Sequence, residues 1–159
     1  MAGDVVSFYS IAERQQALIV ARLESIRVSN GYLADMVVYQ ERAHFDESDV
    51  FPLINVQTPT EVPDSQSGDR VTITRTWRIE IWRNDESESG TALCQDVKRA
   101  LMVSRTGGAL EDEDGKLGLL VYGGTESIAD ESGGRSLSGM LLTWSVTCPE
   151  TWGEPRTAT

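Results

Sequence analysis

The stretch from Val71 to Arg83, VTITRTWRIEIWR, alternates in period two and runs through an acidic break into the helical pattern TALCQDVKRALM. Alternation of this kind is what a half-buried strand requires, and a 3.6-residue period is what an amphipathic helix requires. Val71, Ile73, Trp77, Ile79 and Ile81 fall on one side of the strand, and Thr72, Thr74, Thr76, Arg78 and Glu80 on the other. The helix that follows, about Thr91 to Val103, carries Leu93, Val97, Ala100 and Leu101 as its apolar stripe. One long strand delivered into one such helix predicts an α+β domain whose sheet is covered on one face. Nothing in the unit is arranged for catalysis.

The flanking sequence extends this unit in both directions. Ser10 and Glu13 form an S-x-x-E capping box, and Ser29-Asn30-Gly31 supplies a stop, which predicts a first helix from Ile11 to Val28. Ile11, Leu18, Ile19, Leu23 and Ile26 share its apolar face, with Arg14, Arg22 and Glu24 largely off it. Leu33 to Glu41 and Val50 to Gln57 read as strands, with Pro52 near the start of the second, where an edge tolerates proline. Leu117 to Tyr122 and Leu137 to Cys148 read as the last two strands, the latter turning Met140, Leu142, Trp144 and Val146 inward. The segments 58–69, 104–116 and 123–134 read as long polar loops. The expected architecture is thus a single α+β domain over 1–150, with a mostly antiparallel sheet of about five strands. Two helices pack on it in the order α-β-β-β-α-β-β, and residues 151–159 form a loose C-terminal arm.

At 159 residues the chain is long enough for one hydrophobic core, and its 40% apolar and 25% charged content fits a folded domain. The formal charge of −11 excludes a protein that grips nucleic acid through clustered cations, since Lys98 and Lys116 are the only lysines. An acidic wall has the opposite use, letting a duplex pass without sticking. Cys94 and Cys148 are too few and too far apart in sequence for a disulfide framework or metal knuckle, and read as reduced, partly buried thiols. No apolar run approaches a membrane span, and MAGDVVSF lacks the pattern of a signal peptide. A soluble protein made in a reducing cytoplasm is expected.

Tests for chemistry return little. His44 lies beside Asp46 and Glu47 in an acidic segment, but with no second histidine and no nucleophile at a turn it reads as a solvated loop residue rather than a general base. The run Glu111-Asp112-Glu113-Asp114-Gly115 resembles a calcium loop until registered. With Gly115 at the sixth position, Leu110 and Val121 occupy the first and twelfth, where oxygen ligands are required. It therefore reads as a solvated hairpin tip, with a loose divalent-ion site as the alternative; no metal or cofactor is expected. The glycine pairs at 107–108, 123–124 and 133–134 match no phosphate-binding motif and read as hinges. Trp77 and Trp144 fall on inward phases and read as core. Trp82 falls on the outer phase, either as an interface anchor or under a helix packed over that face, and Trp152 lies in the terminal arm.

In order and character the chain resembles the tail terminator, or tail completion, proteins of long-tailed bacteriophages. The resemblance spans Ile19 to Val146 and rests on the helix IVARLESI followed by a strand, the segment VFPLINVQ before a long loop, the strand TRTWRIEIW, the helix LCQDVKRAL and the last strand MLLTWSV. The acidic run at 111–114 and the extended 123–134 connection depart from it. What the resemblance implies is a non-enzymatic virion subunit, assembled in the host cytoplasm and placed at the head-proximal end of the tail. There a homo-hexameric ring would cap the tail tube, stop its polymerisation and offer a surface to head-tail connector proteins, with double-stranded DNA passing through its lumen unbound and no membrane involved. Trp82, Glu111, Asp112, Glu113, Asp114 and Trp152 are then the candidate interface or lumen residues. A head-to-tail connector or stopper ring is the neighbouring alternative, and a small ligand-binding module or enzyme a more distant one.

Overall fold

The computed structural model describes residues 9–45, 48–102, 107–131 and 137–152. Helix α1, Ile11–Glu24, begins where the capping box places it: the Ser10 hydroxyl accepts from the Glu13 N–H and donates to the Glu13 carboxylate, both at 3.1 Å. It ends four residues short of Val28. The chain closes instead through a single 3₁₀ turn, Val28–Asn30, and Gly31 takes the left-handed φ of +88° that ends it without a Cβ penalty. Helix α2 spans Gly90–Leu101, and the Ser89 hydroxyl accepts from the Ala92 N–H to cap it.

The sheet overturns the five-strand expectation. Seven strands, β1 (Val37–Gln40), β2 (Leu53–Val56), β3 (Thr60–Ser67), β4 (Arg70–Arg83), β5 (Ala109–Asp112), β6 (Gly115–Asp130) and β7 (Leu137–Thr151), form one curled mixed sheet, a half-barrel. The spatial order is β1-β2-β4-β7-β6-β5, with β1 and β2 parallel and β3 paired with β4. The order α-β-β-β-α-β-β fails because three segments that read as polar loops are strands. β3 lies within the segment 58–69, β5 and the start of β6 fall inside 107–116, and β6 continues through 123–130. β4 pairs with β7 along its whole length, Arg70 opposite Thr151 to Arg83 opposite Ser138, and strands this long offer ladder positions on their outer sides. Polar segments fill them for their backbone hydrogen bonds, which hydrophobic periodicity does not register. Pro52 also needs no edge: it precedes β2, which is flanked by β1 and β4.

The main core lies where α1 and α2 cover one face of this sheet. Ile19, Leu23, Leu93, Val97 and Leu101 of the helices meet Ile54, Trp77, Ile79, Leu142 and Trp144 of the strands, all essentially without solvent contact. Trp77 and Trp144 are directly opposite one another across β4 and β7. Cys94 and Cys148 are buried in this core and free, and burial pushes both thiols up in pKa.

A second, smaller cluster sits on the opposite face. Phe45, Leu53, Trp82 and Leu137 are buried together, with Tyr39, Phe51 and Ile128 packed against them. Trp82 lies across Gly139, its partner in the β4–β7 ladder, where a Cβ would stand 2.9 Å from the indole and 2.4 Å from the Ile81 carbonyl oxygen. Trp82 does point to the outer face, as its phase in the strand requires, but it is not an exposed anchor. A bare glycine beneath it and Phe45 beside it bury the ring, and its Nε1–H donates to Glu80 at 3.1 Å. β7 runs on through Pro149 to Thr151, so the segment after Pro149 begins as strand; residues 153–159 lie outside those described.

Candidate interaction surface

The turn between β5 and β6 is fastened to α1 by an ion pair. Arg14, placed on α1 one turn past its cap, is buried, and its Nε donates to Asp112 Oδ2 at 2.7 Å while its Nη2 donates to the other carboxylate oxygen. Such a two-pronged contact fixes both position and angle of the hairpin. Asp112 also accepts the Asp114 N–H at 2.9 Å, closing the turn from within. The acidic run is therefore split in role: Asp112 is structural, while Glu111, Glu113 and Asp114 are exposed.

The Arg14 guanidinium holds the Asp112 carboxyl below the usual carboxylate range, mainly through its hydrogen bonds, with burial opposing. A carboxylate depressed in the folded state stabilises above its unfolded pKa, and that contribution disappears as pH falls through the folded value. Arg14→Met should accordingly lose stability relative to wild type at pH 7. The gap between their urea midpoints should narrow as pH drops below roughly 4, where the unfolded carboxylate titrates. A gap that stays constant down to strong acid would mean the pair contributes through packing alone.

Beneath α1 lies a second, deeper ionic group. Arg75 faces inward on β4 between Ile73 and Trp77 and is buried; its Nη2 donates to both oxygens of buried Glu150 at 3.0 and 2.9 Å, and its Nε to Glu61 on β3 at 2.6 Å. Gln15 of α1 completes the layer, accepting a long contact from Arg75 at 3.4 Å and donating to the Leu117 carbonyl at 2.8 Å. One arginine thereby joins β3, β4, β7 and α1.

These two ties shape the floor and walls of an open groove of about 990 Å³ along the outward side of α1. Its floor is small and apolar, with Ala12, Ala17, Val20 and Ala21. Its lining carries Glu13, Glu24, Glu41, Glu61, Asp112, Glu113 and Asp114, and the one cation among the lining residues, Arg14, is taken up by Asp112. Of the residues expected from the sequence, Asp112, Glu113 and Asp114 meet in this groove, and Glu111 stands beside it in sequence on β5. Trp82 belongs to the opposite face of the sheet. Trp152 is apart from the groove as well, 61% exposed beyond β7, its backbone N–H donating to the Asp69 carbonyl at 2.8 Å. Glu13, Glu24, Glu41 and Glu61 join the site only in the folded chain. For the helix a signal is nonetheless present: Glu13, Ala17, Ala21 and Glu24 follow the spacing of one helix face, an acidic stripe over small residues.

His44 is exposed, and among the described residues no group of three or more His, Cys, Asp or Glu is placed to hold a metal ion. No helix among them is long and apolar enough to cross a membrane. A scan against protein-family models finds no match to the chain, and a search of curated proteins finds none either.

Proposed function

We propose that this chain is a virion structural subunit, a tail terminator whose hexameric ring caps the tail tube, ends its polymerisation and presents a joining surface to the head, and that it is not an enzyme. The observation that best supports this reading is β3. All eight of its residues are exposed, yet it is paired along one side of β4 and tied near its start by the Glu61–Arg75 pair. A strand with an exposed face and one unpaired edge offers both to a neighbour outside its own subunit. Pro63, the bulge between Pro63 and Ser65, and the charges of Glu61 and Asp64 blunt its edge against indiscriminate strand pairing. That combination suits an arm that meets a defined neighbour. The exposed carboxylates of the β5–β6 turn suit a ring through which DNA passes, because they repel phosphate.

The test is electron microscopy of the purified protein alone and mixed with tail tubes. Sixfold rings, or caps at tube ends with tubes of fixed length, are the expected result. Binding to DNA-filled heads but not to tubes would instead support a connector or stopper ring. A monomer that ignores both would sink the virion reading.

A further inference from the structure

The helical side of the molecule carries a second surface of opposite character. Lys98 and Arg99 lie on α2, with Lys98 over the Tyr122 ring at 4.9 Å and Arg99 over the Tyr32 ring at 5.0 Å. These stacks hold both cations outward on aromatic supports. Leu33 and Met102 beside them are exposed, as is Tyr122 itself. Asp96, buried under Arg99, accepts the Leu33 N–H at 2.9 Å and lies 3.7 Å from the guanidinium of Arg99, whose side chain remains half exposed. On a chain with a net charge of −11, a cationic patch ringed by exposed apolar side chains is an exception. It shares no residue with the acidic groove on α1.

We propose that the groove along α1 receives the Lys98–Arg99 face of a second copy of this chain. The inference rests on the self-association in the function proposed above and specifies the two surfaces that make it. The groove supplies carboxylates around a floor of alanines, shallow enough for side chains to reach; the α2 face supplies two cations flanked by Leu33 and Met102 for the apolar floor. Two different patches on one subunit make the contact heterologous, so each copy offers a free groove at one end and a free cationic face at the other. Contacts of this kind close into a ring where the rotation between successive copies permits it, and run on as an open filament where it does not. Both surfaces would be most strongly attracted at low ionic strength, while the remaining acidic surface keeps other orientations apart.

Charge exchange tests this directly on the full chain. Glu24→Lys/Glu41→Lys/Glu113→Lys/Asp114→Lys reverses the groove, and Lys98→Glu/Arg99→Glu reverses the α2 face. All six side chains are exposed or half-exposed, and none is a partner in the Arg14 or Arg75 ion pairs. Followed by sedimentation at matched concentrations, each variant alone should self-associate at least about a hundredfold more weakly than wild type, as like charges are brought together. An equimolar mixture of the two should recover association, because each then offers the other an opposite charge where the two reversed surfaces meet. Recovery also shows that both variants are folded. Wild-type association should weaken as added salt shortens the Debye length from about 10 Å to about 3 Å. If wild type assembles and both variants assemble equally well, the inference is wrong while the ring reading stands. The inference fails in the same way if the groove variant stops binding tail tubes yet still self-associates. If wild type forms no assembly at any concentration, alone or on tubes, the inference and the ring fall together.

Discussion

Trp77→Ala should cost about 3–5 kcal/mol of stability, a large fraction of the roughly 5–15 kcal/mol that holds a domain of this size together. Trp77 is 0% exposed at the centre of the main core, opposite Trp144, and its indole N–H donates to Gln16 of α1 at 3.3 Å. Alanine removes one of the two largest side chains in the main core, and the long β4–β7 ladder restrains the backbone from closing the void. Trp144→Phe makes the informative contrast. The Trp144 indole nitrogen is buried with no hydrogen-bond partner among the described residues, and an unmet buried donor costs about 1–3 kcal/mol. Removing it returns much of what the smaller ring gives up in packing, so Trp144→Phe should cost no more than about a third of what Trp77→Ala does. Urea unfolding followed by far-UV circular dichroism measures both. Equal losses would mean that ring volume alone decides and that the orphaned N–H carries no penalty.

The contrast between these tryptophans also marks what the sequence can reveal. Wherever a segment buries one face, its period is visible: β4 and β7, both helices, the Ser10–Glu13 cap and the inward phases of Trp77 and Trp144 all follow from alternation and capping chemistry. β3 buries nothing, so its eight residues carry no period, and TEVPDSQS reads as loop until the ladder of β4 is there to receive it. The second half of β6, GGTESIAD, is hidden for the same reason, since Ile128 alone reaches the smaller cluster. Alternation places Trp82 on the correct side, but its cover depends on Gly139 and Phe45, which are distant in sequence. The groove follows the same rule. Its acidic turn is legible as a run, and its helix wall as a stripe at helical spacing. The wall formed by Glu41 and Glu61 arises only when β1 and β3 flank α1. The inward series of β4 holds one further signal: it skips from Ile73 to Trp77, and the residue in the gap is an arginine.

Arg75→Met should be nearly as damaging as Trp77→Ala, for a different reason. Methionine fills much the same space, so the loss is electrostatic: Glu150, buried and bonded twice to Arg75, is left as a carboxylate without its cation. Breaking a buried pair from one side typically costs about 3–5 kcal/mol. Glu150→Leu should cost less, because Arg75 keeps its 2.6 Å bond to Glu61, whose side chain is half exposed and can hold the charge near water. The double variant Arg75→Met/Glu150→Leu should recover most of the loss, since an apolar pair of similar volume avoids desolvating two charges, and Glu61, freed, turns to solvent. Additive losses in this cycle would show that the two side chains are not coupled and that the layer acts only through shape. Stability is half of the expected result. Arg75 is also what fastens the exposed β3 to the core, so in the double variant amides of β3 should exchange faster with solvent while those of β7 near Trp144 stay protected. On the function proposed above, a fold restored with a loosened arm should assemble poorly on tail tubes, which would separate the part of the Arg75 tie in folding from its part in holding β3 in place.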